Sequence, residues 1–379
     1  MKDVMEVSDI GAAPHTAVRG IGRTLVRILL ASLVILGSGE LFVRAFIGSP
    51  SPQVYDPQIG YSYRPHSELF QAKEGFTHLK FNALGLNDRE VMPRDGHCRV
   101  LAIGDSYTAA LQVPQTQNFT SIAERLDPDL DVVNGGRDGL FLGDMHKVAA
   151  RLIPEVQPDL VVYVISERAV DTDITLPDFD VIVDPRTGAV VDAVMRVERQ
   201  ETLKRIFGPV LNESALATRL SAQFKPMVVD AMAQIDQWRS ALAPAPREAR
   251  ATAPSVNRPS SEEVLRFVFR QFGTQAPAAL LYINGLRYGP HHHAEVASTS
   301  LEAQDVAMRA AHRAGIPLRD TGSYLIAVAE SARRPPFGFD NALLPGGHLN
   351  TAGHAAVGLA LVDLIRDLSP SLNGKCAAR

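Results

Sequence analysis

From about residue 96 onward, short continuous apolar runs alternate with longer stretches whose apolar residues recur at three and four spacing. The runs are "VLAI" from Val100, "DLDVVNGG" around Val132 and Val133, "PDLVVYVIS" from Pro158 and "AALLYING" from Ala278. Between them, "NFTSIAERL", "MHKVAARLI" and "LEAQDVAMRAAHRAG" carry the period of a helix with one apolar face. A strand that is apolar at every position is buried on both faces. Its alternation with amphipathic helices predicts an α/β domain, a parallel sheet between two helical layers in a three-layer α/β/α arrangement. The rhythm breaks in a long insertion, 172–275. It reads as a hairpin at "DVIVDPRTGAVVDAV", a helix near "KPMVVDAMAQIDQW" and, at about 242–260, an Ala/Pro-rich stretch with too little apolar surface to pack, expected to be a mobile loop.

A different pattern opens the chain. Arg19, Arg23 and Arg27 precede the uninterrupted apolar run from Ile28 to Gly39, and read through to Ile47 the segment is long enough to span a bilayer. Glu40 and Arg44 interrupt it four residues apart on one helical face, where they can pair near the interface. The small residues Gly37 and Gly39 leave a cleaved signal peptide as the alternative to an uncleaved anchor. Either way the basic flank stays inside and the rest is exported. The expected division is 1–23 basic cytoplasmic tail, 24–48 transmembrane anchor, 49–95 linker and lead-in, and 96–370 the α/β domain. The protein is then single-pass in the inner membrane with its domain on the periplasmic side, and the bilayer is its first partner.

Charge and cysteines narrow the classes. A net charge of −4 leaves no basic excess for nucleic acid. Cys98 and Cys376 lack the spacing of a disulfide framework or a zinc site, so two unpaired thiols are expected, although an exported domain permits one bridge. Consecutive histidines, as in His291–His293, do not all face one ion, so this triplet reads as solvated loop. No metal or cofactor is called for.

In "RVLAIGDSYTAAL" a serine stands where the first strand turns into a helix, at the sheet edge where open α/β proteins bind ligands. Asp105 or Ser106 can serve there simply as a helix cap. A nucleophilic Ser106 needs a base. "PGGHLNTAGHAAVGLALVDLI" offers His348 on a glycine-flanked loop, while His354, inside the final helix, reads as a packing residue.

"GDSY" after the first run, "NGGRDG" after the second and "HLNTAGH" before the last helix together resemble the GDSL or SGNH hydrolase family. These are esterases and acyl-group handlers with a flavodoxin-like α/β/α fold. The lead-in "DPQIGYSYRP…FNALGLNDREV", Asp56 to Val91, resembles the segment preceding the catalytic block in membrane-anchored bacterial members. The resemblance implies Ser106 as nucleophile, His348 as base, the Gly139 and Ser106 backbone N–H groups as oxyanion donors, and Asp105 and Asn134 as polar residues at the substrate. The family's side-chain oxyanion donor, an asparagine after the third strand, is replaced by Arg168 in "ISERAVD". That "ER" pair is similar to the branch that O-acetylates exopolysaccharides such as alginate, and an ion pair between Glu167 and Arg168 is the structural alternative. The family acid just before the histidine is missing; Asp340 is the nearest carboxylate. The expected function is an exported serine esterase or O-acyltransferase on acyl, mainly acetyl, esters of cell-envelope carbohydrate, with a membrane acyl-transfer partner in the transferase case. The alternative is a catalytically weak carbohydrate-binding or assembly component of a polysaccharide machine.

Overall fold

The computed structural model describes residues 15–46, 52–56, 59–175, 179–184, 186–187, 189–195, 208, 213–220, 224, 259–289, 293–342, 344, 346–372 and 376. The chain divides into two units, Met1–Ser51 with Phe207–Pro244, and Pro52–Ile206 with Ala245–Arg379.

The first unit is built on α1 (His15–Phe46). Its segment Arg23–Phe46, 24 residues holding an 18-residue stretch of mean hydropathy 1.9, is long and apolar enough to cross a membrane. At about 1.5 Å per residue it measures roughly 36 Å, more than the ~30 Å of hydrocarbon in a bilayer. Glu40 and Arg44 pair at 2.6 Å, as their spacing predicts. Glu40 also accepts hydrogen bonds from the Ser214 hydroxyl (2.8 Å) and from the N–H groups of Ala215 (3.0 Å) and Leu216 (2.9 Å), where the helical stretch 215–220 begins.

In the second unit the expected linker holds two antiparallel hairpins, β1 (Gln53–Asp56) with β2 (Gly60–Tyr63), and β3 (Glu68–Gln71) with β4 (Thr77–Lys80). The central sheet follows: β5 (Cys98–Gly104), β6 (Leu130–Asn134), β7 (Leu160–Ser166), and later β10 (Ala278–Ile283) and β13 (Leu318–Asp320). These five strands are parallel in the order β13-β10-β7-β5-β6. Numbered within the sheet that is 2-1-3-4-5, with the reversal between β5 and β7. Around it stand α2 (Ser106–Ala109), α3 (Phe119–Leu126), α4 (Leu142–Val156), α5 (Glu167–Thr175), α6 (Ser261–Phe272), α7 (Ser298–Ala314), α8 (Gly322–Ala332) and α9 (Thr351–Leu368).

Alternate positions along each strand supply the two cores. Leu101, Ile103, Val161, Tyr163 and Tyr282 pack against α4, α6 and α7. Val100, Ala102, Val162, Val164 and Leu281 pack against α3, α8 and α9. The three-layer α/β/α expectation therefore holds.

Within the insertion, the hairpin forms as β8 (Phe179–Val183) with β9 (Val190–Met195), and after β10 a short antiparallel pair forms from β11 (Leu286–Tyr288) and β12 (Ala294–Val296). The helix expected near 225–238 and the loop 242–258 lie outside the described residues, as do His291 and His292. His293 stands 3.4 Å from Glu330. The expectation of unpaired thiols is overturned: Cys98 and Cys376 form a disulfide, with Cα atoms 4.7 Å apart. The turn Ser369–Leu372 after α9 brings the chain back to the start of β5.

Candidate active site

The strand order reverses between β5 and β7, and in such sheets the crevice beyond the strand ends at that point is where ligands bind. Ser106 is the first residue of α2, directly after β5, and is 9% exposed. Asp105 caps this turn, its Oδ1 accepting the Tyr107 N–H at 3.0 Å, so the capping role falls to the aspartate. The turn closes at Ala110 in the left-handed region.

His348 reaches the same edge from the loop before α9. Its imidazole lies edge-on to the ring of Tyr107, centroids 5.9 Å apart, which places the His348 loop against the residue following Ser106. Tyr107 also meets Phe337 at 6.1 Å, and the Gly338 N–H donates to the His348 carbonyl at 2.8 Å. Two residues on, Asn350 starts α9 by accepting the N–H groups of Ala352 (3.0 Å) and Gly353 (3.2 Å), which fixes the loop to the helix.

The other nitrogen of His348 is held by a residue that the sequence did not single out. Nδ1 pairs with Glu74 Oε2, and the same oxygen accepts the His348 backbone N–H at 3.2 Å. A carboxylate only accepts, so Nδ1 carries the hydrogen and Nε2 is left as the acceptor. Side-chain exposures of 29% for His348 and 25% for Glu74 leave the pair partly shielded. Asp340, the expected partner, is instead bound to Arg334 at 2.6 Å with its side chain 78% exposed. The loop does not fold back far enough to bring it to the ring.

Gly139 lies exposed in the turn after β6, with φ +68°, and the Leu140 N–H closes that turn on the Arg137 carbonyl at 3.2 Å. Asn134 faces inward, 1% exposed, and its Oδ1 accepts the Gly136 N–H at 2.9 Å. Buried there, it supports the glycine turn from beneath. Arg168 spreads its guanidinium over Phe141, 5.5 Å from the ring centroid, beside the Gly139 turn. Glu167 turns the other way, bonding Ser300; burial first and Asp171 second push its carboxyl above the usual range. Glu167 and Arg168 thus engage different neighbours, Ser300 and Phe141.

The lead-in segment braces these turns. Asn87 donates to the Ala109 carbonyl at 2.9 Å, and Asp88 accepts the Asn134 N–H at 2.6 Å. Burial pushes the Asp88 carboxyl up to about 7. Arg137 stacks on Tyr61 and donates to the carbonyls of Tyr61 and Ile59. His354, expected as a packing residue, is buried and stacked on Phe119 with centroids 6.0 Å apart.

No family model matches the chain, and no curated protein matches it. Among solved structures it is similar to an acetylxylan esterase from Geobacillus stearothermophilus, determined as a catalytic mutant, at 13% identity over 72% of this chain and 96% of that one, TM-score 0.35. It is also similar to the psychrotrophic esterase EstA from Pseudoalteromonas sp., at 11% identity over 72% and 99%, TM-score 0.35. A third is a member of the lipolytic protein G-D-S-L family from Veillonella parvula DSM 2008, at 11% identity over 70% and 96%, TM-score 0.33. Likeness at this level does not extend to chemistry.

Proposed function

We propose that the protein is a membrane-anchored serine esterase or O-acyltransferase acting on acyl esters of a cell-envelope carbohydrate. The observation that carries the reading is the meeting of two distant segments at the strand-order reversal: His348 packs on Tyr107, the neighbour of Ser106, with its Nδ1 already engaged. In the reaction, Ser106 Oγ bonds to the acyl carbon while its proton passes to His348 Nε2. The departing alcohol takes that proton as the carbon–oxygen ester bond breaks, leaving an acyl-serine. Water or a sugar hydroxyl then attacks, giving its proton to the same nitrogen, and Ser106 is regenerated. The N–H groups of Ser106 and Gly139, with Arg168 beside them, are the donors assigned to the oxyanion.

The anchor reading is supported by α1, and export by the Cys98–Cys376 bridge, since disulfides persist in oxidising compartments. The carbohydrate ester and the inner-membrane, periplasm-facing placement extend the sequence resemblance. A purely binding or assembly role is motivated by the missing acid and by Arg168 in place of the asparagine; a carboxylate on His348 Nδ1 answers the first of these.

Replacing Ser106 with Ala tests the assignment. Hydrolysis of p-nitrophenyl acetate and labelling by a fluorophosphonate probe are both expected to disappear; undiminished labelling in the variant overturns the nucleophile.

A further inference from the structure

We infer that Glu74 is the carboxylate that positions His348, and that Asn341 holds it there, so the β3–β4 hairpin of the lead-in is part of the catalytic apparatus. The inference rests on the Ser106–His348 reading above. Glu74 lies 274 residues before His348 in sequence, on the turn between β3 and β4. That turn is fastened on both sides. On the nucleophile side, the Thr77 hydroxyl donates to the Leu111 carbonyl at 2.7 Å, and Gly75 sits so close to the Gln112 carbonyl that a Cβ there would meet the oxygen at 2.3 Å. On the base side, Asn341 spans the turn: its Oδ1 accepts the Gly75 N–H at 2.8 Å, and its Nδ2 donates to the carbonyls of Ala72 and Gly75, both at 3.0 Å. The hairpin therefore ties the segment after Ser106 to the loop carrying His348.

The clasp around the carboxylate has its own geometry. Gly347 has φ +95°, and a Cβ on it would lie 2.8 Å from Glu74 Oε1. The glycine lets the carboxylate settle against the 347–348 backbone, where Oε2 takes both the His348 N–H and Nδ1–H. When Ser106 passes its proton to Nε2, the imidazolium finds a negative neighbour on its far nitrogen. Asn341 is one residue from Asp340, yet its work is to hold the hairpin and not the ring.

The test uses the full-length chain, with p-nitrophenyl acetate as substrate. Glu74→Gln is expected to lower kcat on the order of 10²–10⁴-fold with KM changed by less than about threefold. The acidic limb of kcat/KM against pH should move to lower pH, because a positive imidazole has lost its negative neighbour. Glu74→Asp keeps the charge one methylene short and should recover part of the loss together with the original pH limb. Asn341→Ala is expected to cost about tenfold in kcat, and the double variant Glu74→Gln/Asn341→Ala should be no slower than Glu74→Gln, since the clamp acts through the carboxylate. Asp340→Ala should leave kcat within about twofold of the parent. A Glu74→Gln enzyme with parental kcat and pH profile overturns the inference while leaving the Ser106 reading intact; so does full additivity of the two substitutions. Absence of Ser106-dependent labelling in the parent chain overturns the reading beneath it. If Glu74→Gln does not fold, Glu74→Asp and Asn341→Ala decide the matter: parental rates in both overturn it.

Discussion

The ring of Tyr107 and the imidazole of His348 meet at 66° with centroids 5.9 Å apart, so the residue after Ser106 forms a wall against that imidazole. Removing that wall frees the imidazole. Tyr107→Ala is expected to lower kcat about tenfold, because small misplacements of a base are costly, whereas Tyr107→Phe keeps the ring and stays within about twofold. Steady-state kinetics of the two variants check this; equal losses would assign the effect to the phenol hydroxyl.

Gly347 and Gly315 make a matched pair for testing the clasp. Both have positive φ, +95° and +71°, but only Gly347 faces another group where a side chain would grow. Alanine at either position should cost about 1–3 kcal/mol of stability through backbone strain. Gly347→Ala alone should also lose esterase activity. Thermal melts and rates on the two variants separate strain from displacement of Glu74.

His354 predicts a particular response to acid. Burial first, and the neighbouring His348 charge second, hold its imidazole down to about 3 against an ordinary 6.5. The folded chain therefore binds fewer protons than the unfolded one between those values. The stability from keeping His354 neutral is fully present above pH 6.5 and is lost as pH falls toward 3, on the order of 1 kcal/mol for each pH unit. Denaturant titrations of His354→Leu beside the parent should show the parent's advantage shrinking from about pH 7 to about pH 4. A pH-independent difference would mean that His354 titrates alike in both states.

Cys98 and Cys376 anchor the start of β5 to the end of the described chain. Replacing both with Ser should lower unfolding free energy by about 2–5 kcal/mol. The same shift in denaturant midpoint should follow when the parent is reduced, and reductant should leave the double variant unmoved.

Periodicity made β5, β6, β7, β10 and the helices α3, α4 and α7 legible, because each is buried enough to carry a long apolar pattern, whereas α6 went unread inside the expected insertion. β13 escaped it: three half-buried residues, Leu318–Asp320, hold no period. Ser106 and His348 were legible as candidates through their position at the turns. Glu74 was not, since its meaning arises only when a hairpin hundreds of residues away in sequence packs on the base loop. "ELFQAKEGFTHLK" does carry a weak signal, two alternating runs around a glycine, that predicts a hairpin with Glu74 at its tip. The burial of Asn134 was not legible either, because it arises only when the glycine turn folds over the strand end.

The disulfide also turns the whole sheet into one covalent ring. The two sulfurs are 278 residues apart in sequence, and the long excursion between β7 and β10 lies inside that span. A single protease nick anywhere within it opens the ring without releasing a fragment, so the cut chain migrates whole until a thiol is added and only then falls into two pieces.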